Sequence, residues 1–345
     1  MAAIFREEAR DVILESSEIG EGMMNEAETP QRTIGAMFGA SSHGSFLGLP
    51  KASIPEAARA DVAILGAPAA TPYPSVGPYC AGGPAAIRAG IANWAGARDH
   101  MDFDLGGTMV AAGTSAVDCG DLAWDAQDAV GNRARIAGAA KTLLDGGAVP
   151  VVIGGDDSVP IPLFQAFEGR GKFTVLQVDA HIDWRDEVEG IKLGLSSTMR
   201  RASEMGWIER IIQVGARGTG SARVSDHRDA LTAGVRFFFA DAVHERGIEP
   251  ALAEVPTGAN VLVTIDCDGL DPAIMPAVIG PAPGGLSYWQ AIGLMRGVAK
   301  KARIAAFDIV EFMPERDQQQ RGALTAARLV ANAVGLISRQ RSAKG

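Results

Sequence analysis

The stretch FTVLQVDAHIDW, residues 173–184, decides the fold, because a largely apolar run of strand length ends in a cluster of Asp and His. A half-exposed strand would alternate apolar with polar residues, so a continuous run predicts a strand buried on both faces, as in a parallel sheet. Equivalent runs are VAILGAP (62–68), VPVVIG (149–154), RIIQVGA (210–216), VRFFFA (235–240), NVLVTID (260–266) and RIAAFDIV (303–310), with a further strand expected near Met109–Val117. Between them lie helical stretches at about 83–97, 125–145, 159–168, 195–206, 241–254, 287–300 and 319–340. Strands alternating with helices make an α/β domain whose sheet is covered on both faces. Residues 1–57 are polar and irregular and read as an N-terminal arm packed on the body or on a neighbouring subunit. Residues 58–345 read as one domain, with no repeat, charge block or linker dividing them.

In such a sheet ligands sit beyond the carboxyl ends of the strands. Four of those ends carry clustered carboxylates: Gly154-Gly155-Asp156-Asp157-Ser158, then Asp179-Ala180-His181-Ile182-Asp183-Trp184, then Asp266-Cys267-Asp268-Gly269-Leu270-Asp271-Pro272, and Asp308-Ile309-Val310-Glu311. Alternate side chains of an extended segment point the same way, so Asp179, His181 and Asp183 can face one point, as can Asp266 and Asp268. With Asp157 these are five carboxylates and one imidazole, too many for one small ion and suited to two ions roughly 3.5 Å apart. Asp156, Ser158 and Asp271 are assigned instead to turns and helix caps.

The rest of the composition sets limits. Of 345 residues, 47% are apolar and 21% charged, ordinary for a globular protein. The formal net charge of −9 argues against nucleic acid and anionic membrane as partners, since both require a basic face. No apolar run approaches the roughly 18–20 residues of a membrane span, and the acidic beginning lacks the pattern of a signal peptide. Three scattered cysteines suggest neither a disulfide framework nor a thiolate metal site, which makes the cytoplasm the expected location.

These segments resemble the motif set of the ureohydrolase family, which includes arginase, agmatinase and guanidinobutyrase: GGDHS, DAHxD, DxDxxDP and a late Glu in a VEVNP-like segment. PYCAGGPAAIRAG (78–90), DCGDL (118–122) and GALTAARLVANAVG (322–335) extend the likeness over about residues 61–340. The resemblance implies a three-layer αβα arginase-like fold with a mostly parallel sheet of roughly eight strands. It implies Asp157, Asp179, His181, Asp183, Asp266 and Asp268 as ligands of two divalent ions, with Asp179 and Asp266 bridging. It matches Glu311 to the carboxylate that binds the substrate guanidinium, whose paired N–H donors a carboxylate accepts bidentately. Metal-assisted hydrolysis of a guanidino C–N bond is the expected reaction, with Asp183 as proton donor to the leaving nitrogen. Trimers or hexamers are the expected assembly, homo-oligomeric or mixed with a paralogous chain.

Two positions depart from the pattern. Asp157 stands where most members have a histidine, which makes the site one charge unit more negative and favours a fully cationic substrate. The H-G-T/S element that carries a proton-shuttling histidine in agmatinases reads Leu195-Ser196-Ser197-Thr198, and His43, His100, His227 and His244 are out of register with it. Residues that grip the amino-acid end of arginine are not recognisable. The wording DAHIDWRDEVEG, SSTMRRASEMGW and QVGARGTGSAR is similar to the guanidine hydrolase and metformin hydrolase branch. That likeness implies a small cationic substrate, guanidine or a biguanide, and favours Ni²⁺, while an oxygen-rich site also suits Mn²⁺. Trp184, Trp207 and Trp289 are candidates to wall the substrate pocket. The rival reading is a non-catalytic or weakly active partner subunit of a hetero-oligomeric ureohydrolase.

Overall fold

The computed structural model describes residues 44–220 and 222–343. Eight strands are β1 (Val62–Ala67), β2 (Ala116–Asp121), β3 (Val149–Gly154), β4 (Phe173–Val178), β5 (Ile208–Val214), β6 (Arg236–Phe238), β7 (Asn260–Asp266) and β8 (Arg303–Val310). They form one sheet in the order β2-β1-β3-β8-β7-β4-β5-β6. Every pairing is parallel, so the sheet is wholly rather than mostly parallel.

Continuous apolar strands suit this arrangement because both faces are dry. Val149, Val151 and Ile153 belong to one hydrophobic core and Val152 to the other. The same alternation runs through β4, where Leu176 and Val178 face the first core and Phe173 and Val175 the second. On the first face the helices Gly83–Ile91 and Arg321–Ser342 meet so closely that a Cβ at Gly90 would stand 2.7 Å from the Ala323 carbonyl carbon.

The segments expected to be helical are helical, with shifted ends. The stretch expected at 241–254 divides into Ala240–Arg246 and Glu249–Ala253. Gly247, at φ 77°, takes a positive-φ conformation that favours glycine where the first of them ends. The strand sought near Met109–Val117 lies at Ala116–Asp121, and the run at 235–240 contributes three residues of edge strand. Within 44–57, Phe46, Leu47 and Leu49 are buried in the main core, and the Phe46 N–H donates to Asp118 at 2.6 Å. All described residues belong to one compact unit. Among them, no helix is long and apolar enough to cross a membrane.

Strand order decides where chemistry can occur. From β4 the chain steps outward through β5 and β6, and from β7 it steps the other way to β8. The reversal lies between β4 and β7, the switch point at which open parallel sheets bind ligands. The four strands that end in carboxylate clusters, β3, β8, β7 and β4, are consecutive in the sheet.

Candidate metal centre

Each carboxylate at this edge is fixed by backbone geometry. Beyond β3, Gly155 lies against Pro68, and a Cβ there would stand 1.8 Å from the Pro68 carbonyl oxygen. That close approach turns the chain so that Asp156 accepts from the Ser158 N–H at 3.0 Å, while Asp157 is 2% exposed. Both carboxylate oxygens of Asp157 are buried without a hydrogen-bond partner. Its carbonyl accepts from the Thr198 hydroxyl, in the element that lacks the expected histidine.

Beyond β4, Asp179 accepts from the His181 N–H at 2.5 Å and from the Gln177 amide at 2.6 Å. The same amide nitrogen donates to Asp183 at 2.8 Å. Asp183 has φ 43°, a left-handed conformation held by its surroundings. Beyond β7, Asp266 accepts from the Asp268 N–H at 2.7 Å, and Asp268 accepts from the Ala180 N–H at 3.1 Å. His181 Nδ1 lies 3.0 Å from Asp268 Oδ2 and 3.5 Å from Asp179 Oδ1. Arg217 donates to the carbonyls of Asp268 and Ala282, both at 2.7 Å, and braces this loop from outside.

Two groups of ligand atoms result, each gathered within 4.8 Å: Asp179, His181 and Asp268, and Asp157, Asp179 and Asp183. Asp179 is common to both. Asp266 belongs to neither group, although its charge acts on the same cluster.

The electrostatics describe anions crowded out of water. Burial, then neighbouring carboxylates, push Asp157, Asp183 and Asp266 far above the usual carboxylate range. Burial raises Asp179 as well. Asp268 is held low, against its burial, by its contact with His181. His181, against its own burial, is pushed up to about 12 by Asp179 and Asp268. Five buried carboxylates, of which Asp157 meets no donor at either oxygen, plus one imidazole, fit divalent cations. Asp157 makes the case most directly, since two orphaned carboxylate oxygens are costly unless a cation meets them.

Glu311 faces the cluster from the end of β8 with φ 64°. Its N–H donates to the Gly155 carbonyl at 2.7 Å. Its carboxylate accepts from the Asp157 N–H at 2.8 Å and from the Tyr79 hydroxyl at 2.6 Å. Burial raises Glu311 to about 8, the Tyr79 bond working the other way.

Tyr79, Gln177, Thr198 and Gln213 escaped the sequence reading. Gln177 left a visible trace, as the one amide in the apolar strand FTVLQV. The segments PYCAGGPAAIRAG and DCGDL meet through Arg88, which binds Asp118 through Nε at 2.8 Å and Nη2 at 2.9 Å.

Trp184 is 3% exposed and packs in the second core. It borders a cavity of about 360 Å³ with Arg200, Ser203, Glu204, Asp229 and Thr232 rather than the carboxylate cluster. Trp207 donates to the Phe164 carbonyl at 2.9 Å, and Trp289 is 60% exposed. A cavity of about 480 Å³ opens instead beside Ala180 and Ile182, which flank His181. His227 packs on Phe237, His244 lies near the carbonyls of Gly284 and Gly285, and His100 lines a separate cavity. His43 lies outside the described residues.

Residues 60–335 match the model of the arginase family. An agmatinase from Sodalis glossinidius is 35% identical over 294 residues, covering 82% of this chain and 89% of that one. N(1)-aminopropylagmatine ureohydrolase of Thermus thermophilus is 37% identical over 187 residues, 54% of this chain, and the match spans 61% of that relative's length. The crystal structure of a hypothetical agmatinase from Burkholderia thailandensis superimposes with a TM-score of 0.74 at 26% identity, covering 87% of this chain and 92% of the other. With the shared fold and the carboxylate cluster at its switch point, these matches show that the chain belongs to the arginase family.

Proposed function

We propose that this protein is a hydrolase that uses two divalent metal ions to cleave a C–N bond of a small cationic guanidino compound. The observation that supports it most is the pair of ligand groups sharing Asp179, with Glu311 facing them across the Asp157 backbone. Asp157, Asp179, His181, Asp183 and Asp268 would hold the ions, and Asp266 would complete the set. Bound divalent ions supply Lewis acidity and lower the pKa of water toward neutrality.

The remaining steps fall to the side chains. Glu311 accepts the N–H donors of the guanidinium, and Tyr79 and the Asp157 N–H hold its carboxylate in place. The negative cluster favours the cationic substrate and disfavours a neutral urea product. Asp183 is the candidate to hand a proton to the leaving nitrogen, which departs as ammonia or an amine.

For the substrate we favour guanidine, giving urea and ammonia, or a biguanide such as metformin, giving guanylurea and dimethylamine. The likeness of DAHIDWRDEVEG and its companion segments to that branch supports this choice, and also favours Ni²⁺ over Mn²⁺. The experiment is release of ammonia or amine from guanidine, metformin, agmatine and arginine by protein loaded with each metal. Turnover of guanidine or metformin supports the proposal. Turnover of agmatine alone would correct the substrate. Activity appearing only on addition of a homologous chain would make this protein the supporting subunit.

A further inference from the structure

Directly beneath the carboxylate cluster a row of four polar residues crosses the sheet. Gln213 of β5 pairs in register with Gln177 of β4, Gln177 with Thr264 of β7, and Thr264 with Asp308 of β8. All four are at most 1% exposed and share the face of the second hydrophobic core, where apolar residues would cost less to bury. Thr264 donates to Asp308 at 2.6 Å. Gln213 donates to the Gln177 amide oxygen and, at 3.1 Å, to the Ile182 carbonyl.

The orientation of the Gln177 amide follows from its partners. Oxygens of Asp179 and Asp183 lie on one side, and carboxylates that hold a cation are ionised and only accept, so the amide nitrogen must face them. The amide oxygen then faces strand β5, where Gln213 supplies the donor. Both hydrogens of one NH₂ group are thereby spent on two carboxylates that belong to the same ligand group.

We propose that Gln177 is the positioning residue of the metal centre, its amide fixing Asp179 and Asp183 side by side while Gln213 fixes the amide. This rests on the reading of the cluster as a metal site. Two rigid carboxylates are already in binding geometry, so less order is lost when a cation arrives. Outer partners of metal ligands typically carry roughly 10- to 100-fold in affinity.

The test measures Mn²⁺ binding to metal-free, full-length protein by equilibrium dialysis, alongside thermal unfolding of the same metal-free samples. Gln177→Met, which keeps length and removes the donors, should bind Mn²⁺ roughly 10- to 100-fold more weakly. Gln177→Glu should be weaker still, because it sets a third anion against Asp179 and Asp183. A purely structural glutamine would lower the metal-free melting temperature and leave affinity unmoved. Affinity within twofold of the parent in Gln177→Met, or parent-like binding in Gln177→Glu, overturns the proposal. Should Gln177→Met fail to fold, Gln213→Met decides: several-fold weaker binding is expected, and unchanged binding overturns it. Absence of both Mn²⁺ and Ni²⁺ binding by the parent protein would overturn the metal-site reading together with this one.

Discussion

The backbone N–H of Asp157 donates to the carboxylate of Glu311 at 2.8 Å, joining the residue that departs from the ureohydrolase pattern to the proposed guanidinium acceptor. The two follow adjacent strands, β3 and β8, and the Glu311 N–H returns a bond to Gly155 at 2.7 Å. The proposed metal and substrate sites are thus two sides of one backbone turn.

Glu311→Gln keeps the size and the bonds to Tyr79 and Asp157 within reach while removing the charge that meets the guanidinium. Loss of a preorganised electrostatic partner costs roughly 10²–10³ in rate. Steady-state kinetics should show that loss in kcat/KM, and metal content should remain that of the parent.

Tyr79→Phe removes one hydrogen bond to a charged group, which is worth about 1.5–3 kcal/mol. The expected result is a rise in KM of roughly 10- to 100-fold, since 1.4 kcal/mol corresponds to a factor of ten. Titration of a guanidinium inhibitor against the variant checks it, and unchanged affinity would remove Tyr79 from the account.

Asp157→His returns the residue found in most of the family and makes the site one unit less negative. Water at the site then loses its proton more readily, so the acidic limb of the kcat profile should move to lower pH. A pH–rate series on the two proteins measures it, and an unmoved limb contradicts the electrostatic role given to Asp157.

Asp308 predicts a pH dependence of stability. Its carboxyl is raised by burial from 3.8 to about 8, so the folded chain holds a proton that the unfolded chain releases. The stabilising contribution is therefore fully present below the unfolded value and is lost as pH rises through the folded one. Metal-free protein should melt at a lower temperature at pH ~9 than at pH ~5, and Asp308→Asn should flatten that slope. Melting curves in chelator at both pH values provide the check.

The sheet was legible because parallel strands buried on both faces need long apolar runs, and VPVVIG and NVLVTID have no other natural reading. Asp179, His181 and Asp268 were legible because they follow such runs at alternating positions. Trp184 shows the limit: an aromatic near a strand end is more often core than pocket wall, sequence alone does not say which, and here it packs in the second core. Gln177 and Gln213 were hidden because their partnership is a matter of register between β4 and β5, which no local pattern specifies. The Tyr79 bond to Glu311 was hidden for a similar reason, since it spans 232 positions of chain.

Metal analysis of the purified protein and of Asp179→Asn, coupled to product release from guanidine and metformin, tests the central claim most directly. Asp179 is common to both ligand groups, so the account predicts about two ions per chain in the parent with turnover. In Asp179→Asn it predicts loss of both ions and of activity. A parent protein without metal, or an Asp179→Asn variant that keeps two ions and full turnover, would contradict it.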